Sequence, residues 1–241
     1  MFANKTIVLI GGTSLLAKAL TDQYLLNNNQ TKIVIAAANK QKFESMYSNY
    51  DDKNLEFFEM DTLNLEDIDR LISHLKLAEE KCTIFYLAAV KSDLNSNIKR
   101  VFQINFFASV YVYEQMIKNL TDFNYILIGS QGDLHGTKRS PLYNASKSAM
   151  SLYFEPICLA NRSTKKVYLV KPWLFKSKMI KQSGLSNLIC FSTEYVAREI
   201  IKQIERNNYL IYTPKITYKL VQIMNFLSKK LLYLTIFKLM K

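Results

Sequence analysis

The sequence is poor in the residues that break regular structure, cross-link chains or hold metal ions. It has 6 glycines, 4 prolines, 3 cysteines and 2 histidines among 241 residues, and no Gly-, Pro- or Ser-rich linker interrupts it. An odd number of cysteines in apolar surroundings predicts reduced core thiols, and the two histidines do not form a metal site. We therefore expect one domain, residues 1–214, followed by a tail, residues 215–241.

Acidic residues are also scarce relative to basic ones. The chain has 20 Asp and Glu against 32 Lys and Arg, a net charge of +12, and such a charge attracts nucleic acid, anionic membranes and anionic substrates alike. The lysines are spread along the chain, and no helix-turn-helix, zinc or RNA-binding motif occurs, so nucleic acid is not an expected partner. No export signal precedes the first apolar run, which favours a cytoplasmic protein.

What the sequence has instead is a regular alternation of apolar runs and helical segments. The runs are rich in Ile, Val, Leu, Tyr and Phe, which is typical of strands buried on both faces of a parallel sheet. They cover residues 6–12, 32–38, 55–61, 82–89, 125–130, 167–172 and 209–214. The stretches between them are long enough for crossover helices. The pattern predicts an α/β protein with a doubly wound parallel sheet, the Rossmann fold.

The first strand runs directly into a glycine turn, IGGTSLLAKAL, that opens a helix. Gly11 and Gly12 allow the chain to turn sharply, and the N–H groups and positive end of the helix can hold a pyrophosphate. In sheets of this type, ligands bind beyond the carboxyl ends of the strands, near the first one. A nucleotide-binding loop is therefore one interpretation, and an ordinary strand-to-helix turn is the other.

The segment SPLYNASKSAM places a tyrosine and a lysine four positions apart. On a helix, residues at this spacing lie one above the other, so Tyr143 and Lys147 can present a phenol and an ammonium to one ligand. A phenol titrates near ~10 in water, and a neighbouring cation lowers that pKa toward the range that suits proton exchange at neutral pH. The pair predicts a general acid–base site, with a tyrosine packed on a solvated helix as the alternative.

Together with the glycine turn, these residues resemble the short-chain dehydrogenase/reductase (SDR) family over residues 5–214. YNASK matches the family's YxxxK motif, Ser130 lies at a strand end thirteen residues before Tyr143, and Asn105 matches the family's helix asparagine. The resemblance implies that Tyr143 exchanges the proton and that Ser130 polarises the substrate oxygen. It also implies that Lys147 binds the cofactor ribose and that Asn105 supports a proton-relay water.

The resemblance further implies a set of cofactor-binding residues. The family's glycine motif TGxxxGxG reads IGGTSLLA here, with Leu15 at its second glycine, so we expect a somewhat displaced loop. The family's PGxxxT segment reads PWLFKS, with Trp173 at the glycine. The implied cofactor-binding residues are Gly11, Thr13, Ser14, Leu15, Leu16, Asn39, Asp61, Thr62, Ala88, Ala89, Lys147, Pro172, Leu174 and Ser177. An alternative role for Asp61 is to cap the helix that follows it.

The end of the second strand bears on the choice of cofactor. NAD enzymes of this fold carry an acidic residue there, which accepts hydrogen bonds from the ribose 2′-OH. This chain reads AAANKQK and has no acid, while Asn39, Lys40 and Lys42 are placed to reach a 2′-phosphate. We therefore favour NADP(H), with NAD(H) as the alternative.

These interpretations predict an oxidoreductase that transfers hydride between a nicotinamide cofactor and a small-molecule carbonyl or secondary alcohol. The resemblance implies a homodimer or homotetramer. The altered glycine loop and Trp173 leave a second hypothesis, a catalytically silent SDR homologue that binds nucleotide as a regulatory or structural subunit. Cofactor binding without turnover of any carbonyl would favour the second.

The tail, residues 215–241, carries six lysines and no acid among large apolar residues. Its lysines interrupt every uncharged run before the ~18 residues that a membrane span requires. It is suited either to peripheral contact with the inner face of an anionic membrane or to covering an apolar surface of the protein or its oligomer. It is also similar to the tails of SDR members that act on sugars or lipid-linked intermediates.

Overall fold

Seven parallel strands form one sheet at the centre of the protein. The computed structural model describes residues 6–28, 30–51, 53–78, 81–91, 97–134, 140–160, 164–176 and 190–226. The strands are β1 (Thr6–Ile10), β2 (Ile33–Ala37), β3 (Leu55–Glu59), β4 (Cys82–Tyr86), β5 (Phe123–Ile128), β6 (Lys165–Pro172) and β7 (Leu210–Thr213). Each strand overlaps one predicted apolar run, so the predicted parallel sheet is confirmed.

The strand order is β3-β2-β1-β4-β5-β6-β7, and every pairing is parallel. The chain adds strands outward from β1 on one side and then continues from β4 on the other. The order therefore reverses between β1 and β4, which is the place where ligands bind in doubly wound sheets.

Helices cover both faces of this sheet. They are α1 (Leu15–Asn27), α2 (Lys40–Tyr47), α3 (Leu65–Leu77), α4 (Ile98–Phe102), α5 (Ala108–Asn119), α6 (Pro141–Leu159), α7 (Thr193–Glu205) and α8 (Lys215–Phe226). A π-helical turn, Gln103–Phe107, joins α4 to α5, and a 3₁₀ turn, Gln131–Leu134, follows β5. Helices α1 and α7 pack on one face of the sheet, and α3, α5 and α6 pack on the other.

The first strand shows why the apolar runs are continuous. Ile7 and Leu9 pack into the layer beneath α1 and α7, whereas Val8 and Ile10 pack into the opposite layer, and all four are fully buried. Burial of each such side chain contributes about 1.5–3 kcal/mol. Because both faces are covered, a polar residue has no solvated side to occupy, and the alternating pattern of a half-exposed strand is absent from β1.

Short polar side chains fix where three of the helices begin. The hydroxyl of Ser14 accepts a hydrogen bond from the backbone N–H of Ala17, so α1 starts directly after the glycine turn. The Asn39 carboxamide caps α2 in the same way. The cap of α3 is Asn64, and Asp61 instead accepts a hydrogen bond from the N–H of Leu63, so the alternative that Asp61 caps this helix is wrong.

The last described helix, α8, begins one residue beyond the expected domain boundary and packs beside β7. The Gln131 amide donates a hydrogen bond of 2.9 Å to the hydroxyl of Thr217, which ties α8 to the turn after β5. Residues 227–241 of the expected tail lie outside the described part of the chain. Among the helices of the described part, none is long and apolar enough to cross a membrane.

The turn between β1 and α1 depends on one glycine. Gly11 has a φ of +80°, which side-chain-bearing residues rarely adopt, and a Cβ there would lie 2.6 Å from the backbone nitrogen of Ala88. Its N–H donates to the carbonyl of Ala36, so the turn is held against β2 while it passes close to the chain beyond β4. The backbone of the turn therefore has no room for a side chain.

We predict that Gly11→Ala lowers the free energy of unfolding by about 2–4 kcal/mol, because the substitution combines a strained φ with a backbone clash. Urea denaturation of the variant and the unmodified protein measures this loss. Adding Ala88→Gly should not restore stability, since the clash is with main-chain atoms of Ala88. Unchanged stability of Gly11→Ala, or full rescue by the second substitution, would contradict this account of the turn.

Candidate active site

Tyr143 and Lys147 lie on the first two turns of α6, beside the carboxyl end of β5. The Lys147 side chain is buried, and its ammonium donates a hydrogen bond of 2.7 Å to the carbonyl of Ile128, the last residue of β5. The ammonium nitrogen lies 5.9 Å from the centre of the Tyr143 ring. The spacing of four residues thus places both groups at one site, as the sequence predicts.

Ser130 faces the same phenol from the end of β5. Its side chain hydrogen-bonds with that of Tyr143, and its oxygen accepts a hydrogen bond of 3.0 Å from the N–H of Gly132. A Cβ at Gly132 would approach both the Ser130 oxygen and the Asn144 side chain to 3.2 Å. The small residue in the turn therefore allows Ser130 to stand next to α6.

Asn105 approaches from the opposite side, on the π-helical turn between α4 and α5. Its carboxamide accepts a hydrogen bond from the N–H of Val90 and donates to the carbonyl of Val90 and to the hydroxyl of Ser146. Ser146 directly precedes Lys147 on α6. Asn105 therefore connects the segment after β4 to the helix that carries the tyrosine and the lysine, and π-helical turns of this kind are frequent at functional sites.

Burial shifts the pKa values of the two central groups in opposite directions. It raises the pKa of Tyr143 to about 12, with the Ser130 hydrogen bond opposing the shift and the Asp133 charge adding to it. It lowers the pKa of Lys147 to about 8, with Asp133 acting in the opposite sense. Both shifts favour the uncharged form, as a low-dielectric site requires, so the predicted lowering of the Tyr143 pKa by the neighbouring lysine is wrong for the ligand-free protein. At neutral pH the phenol therefore holds its proton and can donate it.

The turn between β1 and α1 presents both backbone and side chains at the strand ends. Thr13 and Ser14 are partly exposed and Leu15 is exposed, whereas the Leu16 side chain is buried in the core. The first N–H groups of a helix have no partner within the helix and form a natural anion site. Only the backbone of Leu16 is therefore available to a ligand at this turn.

Of the three residues proposed to reach a 2′-phosphate, Lys42 contacts the glycine turn. Its ammonium lies 3.2 Å from the hydroxyl of Thr13. Asn39 uses its side-chain oxygen to accept the N–H of Lys42, and Lys40 is exposed at the first position of α2. The cap at Asn39 thus sets the start of α2, and this start places the Lys42 side chain against the turn that follows β1.

The remaining predicted cofactor residues line the ends of other strands. Asp61 and Thr62 follow β3, where Asp61 is exposed and Thr62 partly exposed. Ala88 and Ala89, partly exposed, follow β4 next to Gly11. Pro172, the last residue of β6, is buried, and Leu174 beyond it is exposed. Ser177 lies outside the described residues.

Two buried charged residues beside the site, Asp133 and Lys171, were not predicted from the sequence. The Lys171 ammonium lies 2.8 Å from a carboxylate oxygen of Asp133. The sequence feature that could have indicated this ion pair is Lys171 itself, a charged residue inside the apolar run VYLVKP. In the described part of the chain no cluster of three His, Cys, Asp or Glu side chains is arranged to hold a metal ion.

The sequence profile of the short chain dehydrogenase family matches residues 5–188. This match includes the glycine turn, Asn105, Ser130, Tyr143 and Lys147. Among curated proteins, none matches the sequence significantly.

Solved structures of other proteins have the same fold. A short chain dehydrogenase from Burkholderia cenocepacia in complex with NADP superposes with a TM-score of 0.78 at 14% identity, covering 95% of this chain and 96% of that one. A short chain dehydrogenase/reductase from Burkholderia phymatum in complex with NAD gives 0.77 at 15% identity, covering 93% and 94%. One from Sphingobium yanoikuyae in complex with NADPH gives 0.74 at 12% identity, covering 88% of each chain. The chain belongs to the short-chain dehydrogenase family of oxidoreductases.

Proposed function

We propose that the protein is an NADP(H)-dependent oxidoreductase that transfers hydride between the nicotinamide and a carbonyl or secondary alcohol of a small molecule. The observation that carries this proposal is the contact between the Ser130 and Tyr143 side chains, with the Lys147 ammonium beside the Tyr143 ring. A serine and a protonated phenol in contact can both hydrogen-bond to one oxygen atom of a substrate.

The residues at the strand ends fit a dinucleotide. Gly11, with its positive φ, lets the turn pass close to Ala88 at the reversal of strand order, and α1 begins directly after this turn, so the N–H groups of its first turn lie at the strand ends. Thr13, Ser14 and the backbone of Leu15 would hold the phosphates, and Lys147 would bind the ribose. When bound, the nicotinamide supplies or accepts the hydride.

The side chains of the site then handle the proton. Ser130 donates a hydrogen bond to the substrate oxygen and polarises its bond to carbon. Tyr143 donates a proton to that oxygen as negative charge develops on it, which is general acid catalysis. Lys147, charged below about pH 8, stabilises the resulting phenolate.

The high pKa of Tyr143 affects which half of the reversible reaction, carbonyl reduction or alcohol oxidation, the ligand-free site is protonated for. With a pKa raised to about 12 by burial, the phenol is protonated across the physiological range and is ready to act as an acid. Alcohol oxidation requires phenolate, which is scarce at neutral pH in the ligand-free protein. In the ligand-free protein the phenol therefore holds the proton that carbonyl reduction consumes.

We predict that Tyr143→Phe lowers kcat for carbonyl reduction by about 10²–10⁴-fold and leaves the Kd for NADPH nearly unchanged, because it removes only the acid. The loss of NADPH absorbance across a panel of ketones and sugars measures turnover, and NADPH fluorescence measures binding. Tyr153→Phe is the matched control, since this phenol lies on the same helix and contacts Glu114 at the surface.

Equal losses in both variants would contradict the role of Tyr143. NADPH binding without turnover of any substrate by the unmodified protein would favour the catalytically silent homologue. The assembled contact between Ser130 and Tyr143 supports the enzyme.

The preference for NADP(H) is supported by Lys42. Its ammonium lies beside Thr13 at the end of β1, and the segment from Ala36 to Lys42 contains no carboxylate to repel a 2′-phosphate. A cation within contact distance of a phosphate provides a charge-assisted hydrogen bond.

Lys42→Met should therefore weaken NADPH binding by about 10-fold or more and leave NADH binding nearly unchanged, because NADH lacks the 2′-phosphate. Fluorescence titration of both cofactors measures the two Kd values. Lys40→Met is the matched control, since Lys40 is exposed on the same helix without the contact to Thr13. Tighter binding of NADH than of NADPH by the unmodified protein would overturn the preference.

Exposed leucines on α6 support a homodimer. Leu152 and Leu159 lie seven residues apart on one side of this helix, with 78% and 74% of their surface exposed. Phe107 and Ile117, on the neighbouring turn and α5, are also exposed. Apolar side chains gathered on adjacent helices are stabilised when a second copy covers them.

Leu152→Asp should shift the protein from dimer toward monomer, raising the dimer dissociation constant about 100-fold or more, because a buried unpaired carboxylate is costly. Sedimentation equilibrium measures the change. Leu26→Asp is the matched control, since Leu26 is 80% exposed at the end of α1, on the other face of the sheet. A monomeric unmodified protein, or equal dissociation in both variants, would contradict this surface.

A further inference from the structure

A buried group of charges lies directly beside the catalytic residues. The side chains of Asp133 and Lys171 are 1% and 2% exposed, and the ammonium and carboxylate are 2.8 Å apart. Glu155, on α6, contacts the same ammonium from the edge of the group, with 35% of its side chain exposed. With Lys147, the group contains two ammonium and two carboxylate groups, so its charges balance.

Three separate elements bring these charges together. Asp133 lies on the 3₁₀ turn that follows Ser130, and Lys171 is the next-to-last residue of β6. On α6, the Ser151 hydroxyl donates to the Asp133 carboxylate, and the Ser148 hydroxyl donates to its backbone carbonyl at 2.5 Å. Asp133 is therefore fastened to the helix that carries Tyr143 and Lys147, through both its side chain and its main chain.

Stability alone does not account for a buried charge at this place. A buried ion pair is weakly stabilising at best, and apolar residues of similar volume often replace it without loss. Lys171 lies among Val167, Leu169 and Val170 in a strand that would pack well without it. The position of the Asp133 carboxylate next to the site therefore has to be considered as well.

The Asp133 carboxylate lies on the same side of α6 as Lys147, because Ser151, whose hydroxyl donates to this carboxylate, follows Lys147 by four residues on the helix. The Lys147 ammonium is buried and donates to the carbonyl of Ile128, an uncharged acceptor. Burial lowers the pKa of Lys147 to about 8, and Asp133 is the charge that opposes this effect. Among the described residues, Asp133 is the carboxylate that acts on both Lys147 and Tyr143.

The groups around Asp133 keep it in place. Lys171 faces it from β6, and Tyr212 from β7 lies 6.0 Å from the Lys171 ammonium, measured to the ring centre. Ser151 and Glu155 face the cluster from α6. Burial lowers the pKa of Lys171, but the two carboxylates outweigh it and the net shift is upward, so Lys171 stays charged at physiological pH.

We propose that Asp133 is a positioning residue that keeps the Lys147 ammonium charged within the buried site. Lys171 and Ser151 hold the Asp133 carboxylate in place for this purpose. The inference rests on the proposed function, because a charged Lys147 matters for binding ribose and for stabilising the phenolate of Tyr143. Asp133 contacts neither substrate nor cofactor in this scheme.

The direct test is the titration of Lys147 by NMR in protein labelled with ¹³C at the lysine ε-carbons. The Lys147 signal is assigned by its absence in Lys147→Met. We expect a midpoint near pH 8 in the unmodified protein and a midpoint lower by about one pH unit in Asp133→Asn, because the opposing negative charge is removed. An unchanged or higher midpoint in Asp133→Asn would overturn the proposal.

Glu155→Gln is the matched control. It also removes a carboxylate from Lys171, so it should lower the melting temperature as Asp133→Asn does, yet it should leave the Lys147 midpoint unchanged. A role limited to stability would move the melting temperatures alone. Equal shifts of the midpoint in both variants would show that Asp133 has no special relation to Lys147 and would overturn the proposal.

A second variant covers the case in which Asp133→Asn does not fold. Asp133→Asn combined with Lys171→Met removes both charges of the ion pair, avoids an unpaired ammonium and should lower the Lys147 midpoint in the same direction. The titration requires neither cofactor nor turnover. If the midpoint moves but no carbonyl is reduced, the proposed reaction is wrong while the role of Asp133 stands.

Discussion

The buried ammonium of Lys147 is the constraint on which the site depends. An unpaired charge inside a protein is costly, so the surrounding elements have to provide acceptors and counter-charge. The carbonyl of Ile128, the last residue of β5, accepts a hydrogen bond from this ammonium. This hydrogen bond fixes α6 against the end of the sheet, and the same alignment brings Tyr143 into contact with Ser130.

Much of the site is built from main-chain groups, which explains how it accommodates departures from the family pattern. Asn105 binds the backbone N–H and carbonyl of Val90, so these contacts do not depend on the side chains in the segment LAAV. Gly11 likewise meets backbone atoms of Ala88. Leu15, at the position of a family glycine, is exposed and leaves the core packing of α1 to Leu16 and Ala17.

The sequence was sufficient for features that depend on local spacing. The seven strands follow from apolar runs because burial on both faces leaves no polar alternation, and the pairing of Tyr143 with Lys147 follows from one helical turn. The ion pair of Asp133 and Lys171 could not be predicted, because it joins residues far apart in the chain that meet only when β5 and β6 are neighbours. The cap of α3 was also missed, since Asp61 and Asn64 have equivalent capping chemistry and only the backbone path distinguishes them.

The hydrogen bond between Gln131 and Thr217 gives the last described helix a part in the site. Gln131 directly follows Ser130, and its amide also donates to the carbonyl of Lys171. A protein shortened at residue 214 would lose Thr217 and leave a buried amide donor without one of its two acceptors, next to Ser130, which we propose to polarise the substrate. Helix α8 is thus a structural support of the candidate site, and the smallest fragment that keeps this site intact has to include it.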